Sequence, residues 1–324
     1  MGECLMQAIR DAMTSTELPR GVIATIGNYD GIHIGQQSVL DMVTGRAREV
    51  GAPSAVITFD PHPLSVVRPE EAPPRLVTQD QKEALLAAAG VDYVLTIRFS
   101  HEFSNTRART FVRDFLHGQL AALELYVGSN FTFGRRREGN MALLREMGTS
   151  CGFVAVEIDE VRSGGERVSS SRIRSLVLEG RIAEANDLLG RPYTMTGTIA
   201  RGDRMGQRLG WPTINLAPDN ELYPHNGVYV TKVYFPSFEA TFRSVTNIGT
   251  RPTVYENYRR VIESHILDFS SDVYGERVDL SFCRHLREEK LFSSMMDLSA
   301  QIGRDADAAR EYFRRLESST NRPN

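Results

Sequence analysis

The sequence predicts two domains of different class, α/β followed by β. Three observations carry this. A chain of 324 residues is long for one hydrophobic core, and chains of this size divide. Up to about residue 188, strand-like apolar runs alternate with helix-like stretches, the order of a parallel sheet with helices on both faces. Beyond it, strand-like runs follow one another with no helix between them, which favours an antiparallel sheet or barrel. The boundary falls near Asn186–Arg191, giving domains 1–188 and 189–324.

Val22–Ile26 is a short apolar run that stops at glycine. Gln36–Val50 then places Val39, Val43, Ala47 and Val50 on one helical face. Ala55–Phe59 is a second strand, ended by Asp60-Pro-His-Pro. Thr78 and Gln81 have capping-box spacing before Ala84–Ala89. Tyr93–Ile97, Leu123–Val127 and Phe153–Ile158 complete five strands, and Thr106 is placed to cap a helix carrying Phe111 and Phe115. A helical stretch, Ser171–Leu189, closes the first half.

In the second half Tyr193–Ala200, Val228–Phe235, Ala240–Ile248, Val261–Phe269 and Val278–Cys283 are strand-like. Val278, Leu280 and Phe282 alternate with polar or small neighbours, the period of a half-buried strand. A final amphipathic helix carries Met295, Leu298, Ile302, Ala309, Phe313 and Leu316 on one stripe, and Ser318–Asn324 is expected to be loose.

Net charge is −3, so no global field draws the chain to nucleic acid or to an anionic membrane. Nothing approaches the roughly 20 apolar residues of a membrane span. Cys4, Cys151 and Cys283 form neither a zinc pattern nor a disulfide framework, which fits a reducing, cytoplasmic setting.

Ligands of open parallel sheets bind beyond the carboxyl ends of the strands. Three loops follow strands there: Gly27–Gly35, Asp60–Pro63 and Gly128–Gly139. In the first, Gly27 and Gly31 let backbone amides approach a ligand, Gly35 opens a helix whose N-terminus favours phosphate, and His33 is able to donate to a phosphate oxygen. A plain glycine turn explains the same spacing equally well. Phe131 and Phe133 read equally as core, and Arg135–Arg137 as a solvated basic loop. Ser169–Ser171 with Arg172 and Arg174 make a phosphate clamp or an ordinary serine cap. The second half holds a more specific signal. Gly202, Gly206 and Gly210 precede Trp-Pro-Thr213-Ile-Asn215. Thr213 and Asn215 alternate along an extended segment and offer two oxygens suited to Mg²⁺. Glu263, near His265 and Asp268, is either a base for an alcohol or a strand-edge charge.

Taken together, GNYDGIHIG, VITFDPHP, VGSNFTFG, SSSRIR, LLGRPY, LGWPTINL, NGVYV, NIGTRPT and ESHILDF resemble the bacterial bifunctional riboflavin kinase/FAD synthetases, in order and from about Gly21 to about Arg310. The resemblance implies a Rossmann-like nucleotidyltransferase domain and a riboflavin kinase barrel with a terminal helix. It implies phosphorylation of riboflavin to FMN by ATP, then adenylylation of FMN to FAD by a second ATP. By the same resemblance Thr213 and Asn215 match the magnesium pair, Glu263 the catalytic base, and Gly202, Gly206 and Gly210 the loop over the ATP phosphates. Gly27, Asp30, Gly31 and His33 match the nucleotidyltransferase loop, Asn130 an active-site asparagine, and Ser170, Ser171, Arg172 and Arg174 the phosphate-contacting motif. Both reactions are displacements at phosphorus, in which positioning and charge neutralisation dominate.

The chain departs from the family at Gln36, where the usual residue is histidine, and more mildly at Ser171, Gln207 and Ile214. Loss of one preorganised donor to a charged transition state costs roughly 10²–10³ in rate. Three readings follow: both reactions; riboflavin phosphorylation alone, with adenylyl transfer weakened or lost through Gln36; or flavin and nucleotide binding without turnover.

Overall fold

The computed structural model describes residues 6–202, 206, 209–252 and 258–320. Its contacts divide the chain into two compact units, Met1–Ser170 and Ser171–Asn324. Cys4 and Gln207 lie outside the described residues.

The first unit is built on six parallel strands: β1 (Gln7–Arg10), β2 (Ile23–Ile26), β3 (Ser54–Asp60), β4 (Tyr93–Arg98), β5 (Glu124–Gly128) and β6 (Val154–Ile158). Their order is β1-β4-β3-β2-β5-β6. Five were expected. The sixth, β1, buries only Ile9, so it leaves no apolar period to read, yet it pairs in parallel with β4 from Gln7 to Arg10. Alternate strand residues feed two cores. One face packs Ile57, Leu95 and Leu125 with Phe111, Phe115 and Leu144. The other packs Val56 and Val94 with Leu40 and Leu86, the burial expected of a sheet covered on both faces.

Helix α1 (Ile34–Val50) buries Leu40, Val43, Thr44 and Ala47. Val50, expected on the same face, is exposed, because the helix ends there against left-handed Gly51. After the short α2 (Pro63–Val67), the predicted capping box of Thr78 and Gln81 opens α3 (Gln79–Ala88). Following α4 (His101–Ser104), Thr106 does not cap the next helix. That helix, α5 (Ala108–Thr110), has Arg107 at its N-cap and runs on with π-helical hydrogen bonding through Phe111–Gln119. The Ala108 amide is taken instead by the Glu138 carboxylate, at 2.8 Å, so the cap comes from a distant loop. Helix α6 (Met141–Cys151) precedes β6, and a small hairpin, β7 (Arg162–Ser163) and β8 (Glu166–Arg167), follows it.

In the second unit, the expected Ser171–Leu189 helix is two, α7 (Ser170–Leu178) and α8 (Ile182–Leu189), broken at left-handed Gly180. Six antiparallel strands then close a barrel: β9 (Tyr193–Ala200), β10 (Ile214–Pro218), β11 (Gly227–Phe235), β12 (Ala240–Pro252), β13 (Tyr258–Ile266) and β14 (Arg277–Arg287). Their order around the barrel is β10-β13-β12-β11-β14-β9. Val278, Leu280 and Phe282 point inward as their alternation predicts. The strand expected to reach Phe269 ends at Ile266, before Asp268 takes a left-handed turn. Inside, Tyr229, Phe235, Ile248 and Ile262 are buried beside hydroxyls that bond to one another: Ser244 to Thr231, Thr231 to Thr246 and Thr246 to Ser264, at 2.7, 2.7 and 2.6 Å.

The terminal helix, Met295–Thr320, packs Ala306, Ala309 and Phe313 on Val228, Val230 and Val245. Met295 and Leu316, expected on this stripe, are exposed, and Ala306 takes a place in the core. Ser318, expected to be loose, lies in the helix and donates to Arg314 O.

The contact division falls at Ser170/Ser171, before the boundary read from the sequence. Helix α8 accounts for the difference. Ala185, Leu188 and Leu189 are buried, and Asn186 ties α8 to the barrel, donating to Phe282 O (2.8 Å) and accepting from Tyr193 N (2.7 Å).

Candidate active sites

Each unit carries one candidate site. On the barrel, strand pairing builds it. Register sets Asn215 on β10 opposite Glu263 on β13, and Glu263 opposite Asn247 on β12. Residues directly opposite in antiparallel strands share a face, with Cβ atoms about 5 Å apart. Ile262, Ser264 and Ile266 fill the interior, so the row Asn215–Glu263–Asn247 faces outward.

Thr213 precedes β10 by one residue and falls in phase with Asn215. Backbone presses on both. A Cβ added at Gly202 would collide with the Asn215 carboxamide, and one at Gly206 would strike the Trp211 carbonyl and stand 3.0 Å from Thr213 Oγ1. Only glycine permits that approach. The segment is pinned from outside as well. Trp211 Nε1 donates to Ser299 Oγ at 3.0 Å, and His265 Nδ1 donates to Pro212 O at 2.8 Å. Residues 203–205 and 207–208 of the Gly202–Gly210 loop lie outside the described residues. Asp268 does not join the row: it is exposed and pairs with Arg310 at 3.0 Å. Glu289 lies over Gly249, near the Asn247 amide, and accepts from Asn226 Nδ2 at 3.3 Å. Neither Asn247 nor Glu289 is marked by the sequence alone. Asn247 becomes visible once the β12–β13 register is known.

In the first unit the strand order reverses at β2, with β3 and β4 to one side and β5 and β6 to the other. Crevices at such points take ligands. The loop leaving β2 holds Gly27, Asp30, Gly31, His33, Gly35 and Gln36, and is strongly bent: Tyr29, Gly31 and Ile32 have φ of 46°, 94° and 43°. Its bracing is specific. The Tyr29 and Thr25 hydroxyls lie 2.7 Å apart, and burial pushes the Tyr29 phenol well above its ordinary pKa. The Asp30 carboxylate accepts the Leu76 amide at 2.9 Å, and Ser170 Oγ donates to Asp30 O at 2.7 Å.

His33 is buried and caps α1. Its Nδ1 accepts the Gln36 amide, while Gln36 Oε1 accepts the His33 amide, both at 3.2 Å. Helix α1 thus directs its orphan N–H groups and partial positive charge at the bend. Asn130 follows β5. With its amide oxygen turned to Arg167, it accepts both terminal guanidinium nitrogens, at 2.7 and 2.9 Å. Arg167, which sequence reading did not single out, joins the candidate site only through Asn130; it sits on a two-residue strand with no motif of its own. Ser171, Arg172 and Arg174 follow Ser170 on α7; Ser171 is exposed and Arg174 buried. From Phe59 near the end of β3 and from beyond β4 and β5, the rings of Phe59, Phe99, Phe103, Phe131 and Phe133 form a connected aromatic set that includes buried Phe111.

The chain matches two family models, FAD synthetase over residues 15–172 and riboflavin kinase over residues 189–313. It is 37% identical over 309 residues to the bifunctional riboflavin kinase/FMN adenylyltransferase of Escherichia coli K12, covering 95% of this chain and 98% of that protein. Proteins of the same name from Haemophilus influenzae and Pseudomonas fluorescens are 34% and 36% identical, over 95% and 94% of this chain and 99% and 97% of their own lengths. The chain belongs to the bifunctional riboflavin kinase/FMN adenylyltransferase family.

A solved structure described as a macrolide-efflux protein from Streptococcus pneumoniae superposes with a TM-score of 0.83 at 25% identity, over 94% of this chain and 99% of that one. Among the described residues no helix is long and apolar enough to cross a membrane.

The bifunctional enzyme phosphorylates riboflavin to FMN with ATP and adenylylates FMN to FAD with a second ATP. Riboflavin, FMN and ATP are its substrates. Of the three readings open from the sequence, the two-step one is supported over kinase alone and over binding without turnover.

Proposed function

We propose that the row on β10 and β13 is the riboflavin kinase centre. One observation carries this reading: Asn215 stands in register with Glu263, and Thr213 and Asn215 lie under glycine backbone at Gly202 and Gly206. The Glu263 carboxylate takes the proton of the riboflavin 5′-hydroxyl as its oxygen bonds to the γ-phosphorus and ADP leaves. Thr213 and Asn215 fit Mg²⁺. Their oxygens are neutral, and the ion tolerates a few protein oxygens alongside phosphate and water. Bound there, Mg²⁺ supplies charge neutralisation for the phosphates. The glycines let the loop lie close over the same phosphates.

In the first domain, taken as residues 1–188 with the kinase at 189–324, the FMN phosphate attacks the α-phosphorus of ATP and pyrophosphate leaves. That nucleophile is already anionic, so no base is required. Donors are required, and His33, Asn130, the amides of the Gly27–Gly35 bend and the α1 N-terminus supply them. Ser170 contributes through the bend, and the resemblance adds Ser171, Arg172 and Arg174. The exposed edges of the phenylalanine set suit the flat, apolar isoalloxazine ring of FMN. Free Cys151 and Cys283 favour a cytoplasmic enzyme.

The test is Glu263→Gln. FMN formation should fall by about 10²–10⁴-fold, the range for a positioned base, while FAD formation from added FMN is unchanged in the same sample. Near-normal FMN formation removes Glu263 from the role.

A further inference from the structure

Lys82, on α3, is buried at 6% exposure. Lysine is almost never so buried without a reason. Its Nζ donates to the main-chain oxygen of Asn28 at 3.0 Å, and Thr58 Oγ1 donates to the same oxygen at 3.2 Å. Asn28 is the second residue of the bend leaving β2. The groups around the ammonium are Asp30 and Asp60, which favour its charge together with Glu83, and Arg75, which opposes it. Burial is the larger influence and pulls its pKa below the ordinary lysine value. An apolar side chain would fill the space without that cost, so something is gained by putting an ammonium there.

The peptide geometry indicates what. Apart from Asp60–Pro61 the described peptide bonds are trans, and in a trans peptide the C=O and the N–H point in opposite directions. Drawing the Asn28 carbonyl toward Lys82 therefore turns the Tyr29 N–H away from the buried ammonium. The left-handed conformations of Tyr29 and Ile32 follow at once. Such conformations cost an aromatic or β-branched residue energy and persist only when surrounding contacts enforce them.

We infer that Lys82 is a positioning residue for FMN adenylylation: it holds the Asn28 carbonyl inward and so fixes the bend that presents backbone amides and His33 to the nucleotide phosphates. The inference rests on reading the Gly27–Gln36 loop as the phosphate site. Lys82 touches no substrate. It acts through the peptide that it anchors.

The full chain supplies its own control, because riboflavin phosphorylation belongs to the other domain. Lys82→Met, Lys82→Arg and His33→Ala are assayed for FAD formation from FMN and ATP, for FMN formation from riboflavin, and for thermal unfolding. Lys82→Met should lower kcat for FAD formation by about 10²-fold, as expected for a misplaced catalytic group. Its KM for FMN should stay within about threefold and its kinase rate should not change. Lys82→Arg, which keeps the charge and the donors, should recover to within about tenfold of the parent. A Lys82→Met kcat near the parent value, a loss confined to KM, or a folded Lys82→Arg no better than Lys82→Met overturns the inference. Should Lys82→Met unfold the first domain, Lys82→Arg decides alone by the same tenfold margin. If His33→Ala leaves FAD formation intact, the loop reading itself fails and takes this inference with it. If His33→Ala loses activity and Lys82→Met does not, only the role of Lys82 falls.

Discussion

Gln36, read from the resemblance as a departure, makes a local structural gain. Glutamine at the third position of α1 completes a reciprocal cap with His33, an arrangement worth about 1 kcal/mol. The side-chain carbonyl is engaged by the His33 amide, which leaves the amide nitrogen as what this position can offer a phosphate. Gln36→His exchanges that neutral donor for one able to carry charge. FAD formation should rise by about tenfold or more, and the first domain should melt a few degrees lower from loss of the cap. Steady-state rates and calorimetry read the two effects separately. An unchanged rate would mean that the carboxamide already supplies what the reaction needs. Residues of this kind were legible because they lie in contiguous motifs. Arg167, Asn247 and Glu289 were not, because each reaches its neighbours only through the fold: a hairpin, a strand register and a loop crossing.

Among elements, those with one wet and one dry face were readable. Alternation in β14 named its inward residues correctly, and the capping box of α3 was visible from two side chains. Strand β1 was not, since a single buried isoleucine makes no pattern. The barrel interior misleads in another way. Thr231, Ser244, Thr246 and Ser264 have the composition of a surface, yet they are buried because their hydroxyls satisfy one another. Thr246 stands in the middle, bonded to both Thr231 and Ser264. Thr246→Val preserves shape but takes a partner from two hydroxyls, leaving Thr231 with Ser244 alone and removing the bond to Ser264. It should cost about 1–3 kcal/mol, the penalty for unsatisfied buried polar groups. Denaturant unfolding of the kinase domain measures it. A neutral result would show that the remaining hydroxyls re-pair.

For the whole molecule, sequence and contacts agree on an α/β unit followed by a barrel and differ over residues 171–188. The difference has a physical test. Helix α8 buries Ile182, Ala185, Leu188 and Leu189. A barrel fragment beginning at residue 171 should therefore be more stable than one beginning at residue 190, by about 2 kcal/mol or more on the scale of one or two buried aliphatic side chains. Equal stability of the two fragments would place α8 outside the barrel's cooperative unit.

The pairing of Asn215, Glu263 and Asn247 across three neighbouring strands has an evolutionary consequence. Where strands of a ring pair without a bulge, as β10, β13 and β12 do here, gaining or losing one residue turns the later side chains inside out; the β11–β14 pair, by contrast, carries register shifts. The distance between the proposed proton acceptor and the pair proposed to hold Mg²⁺ is thus locked to the hydrogen-bond ladder, and descendants of this gene are free to vary in length only where the ribbon leaves the ring. Insertions and deletions among its orthologues should accordingly gather in the connections and spare the staves.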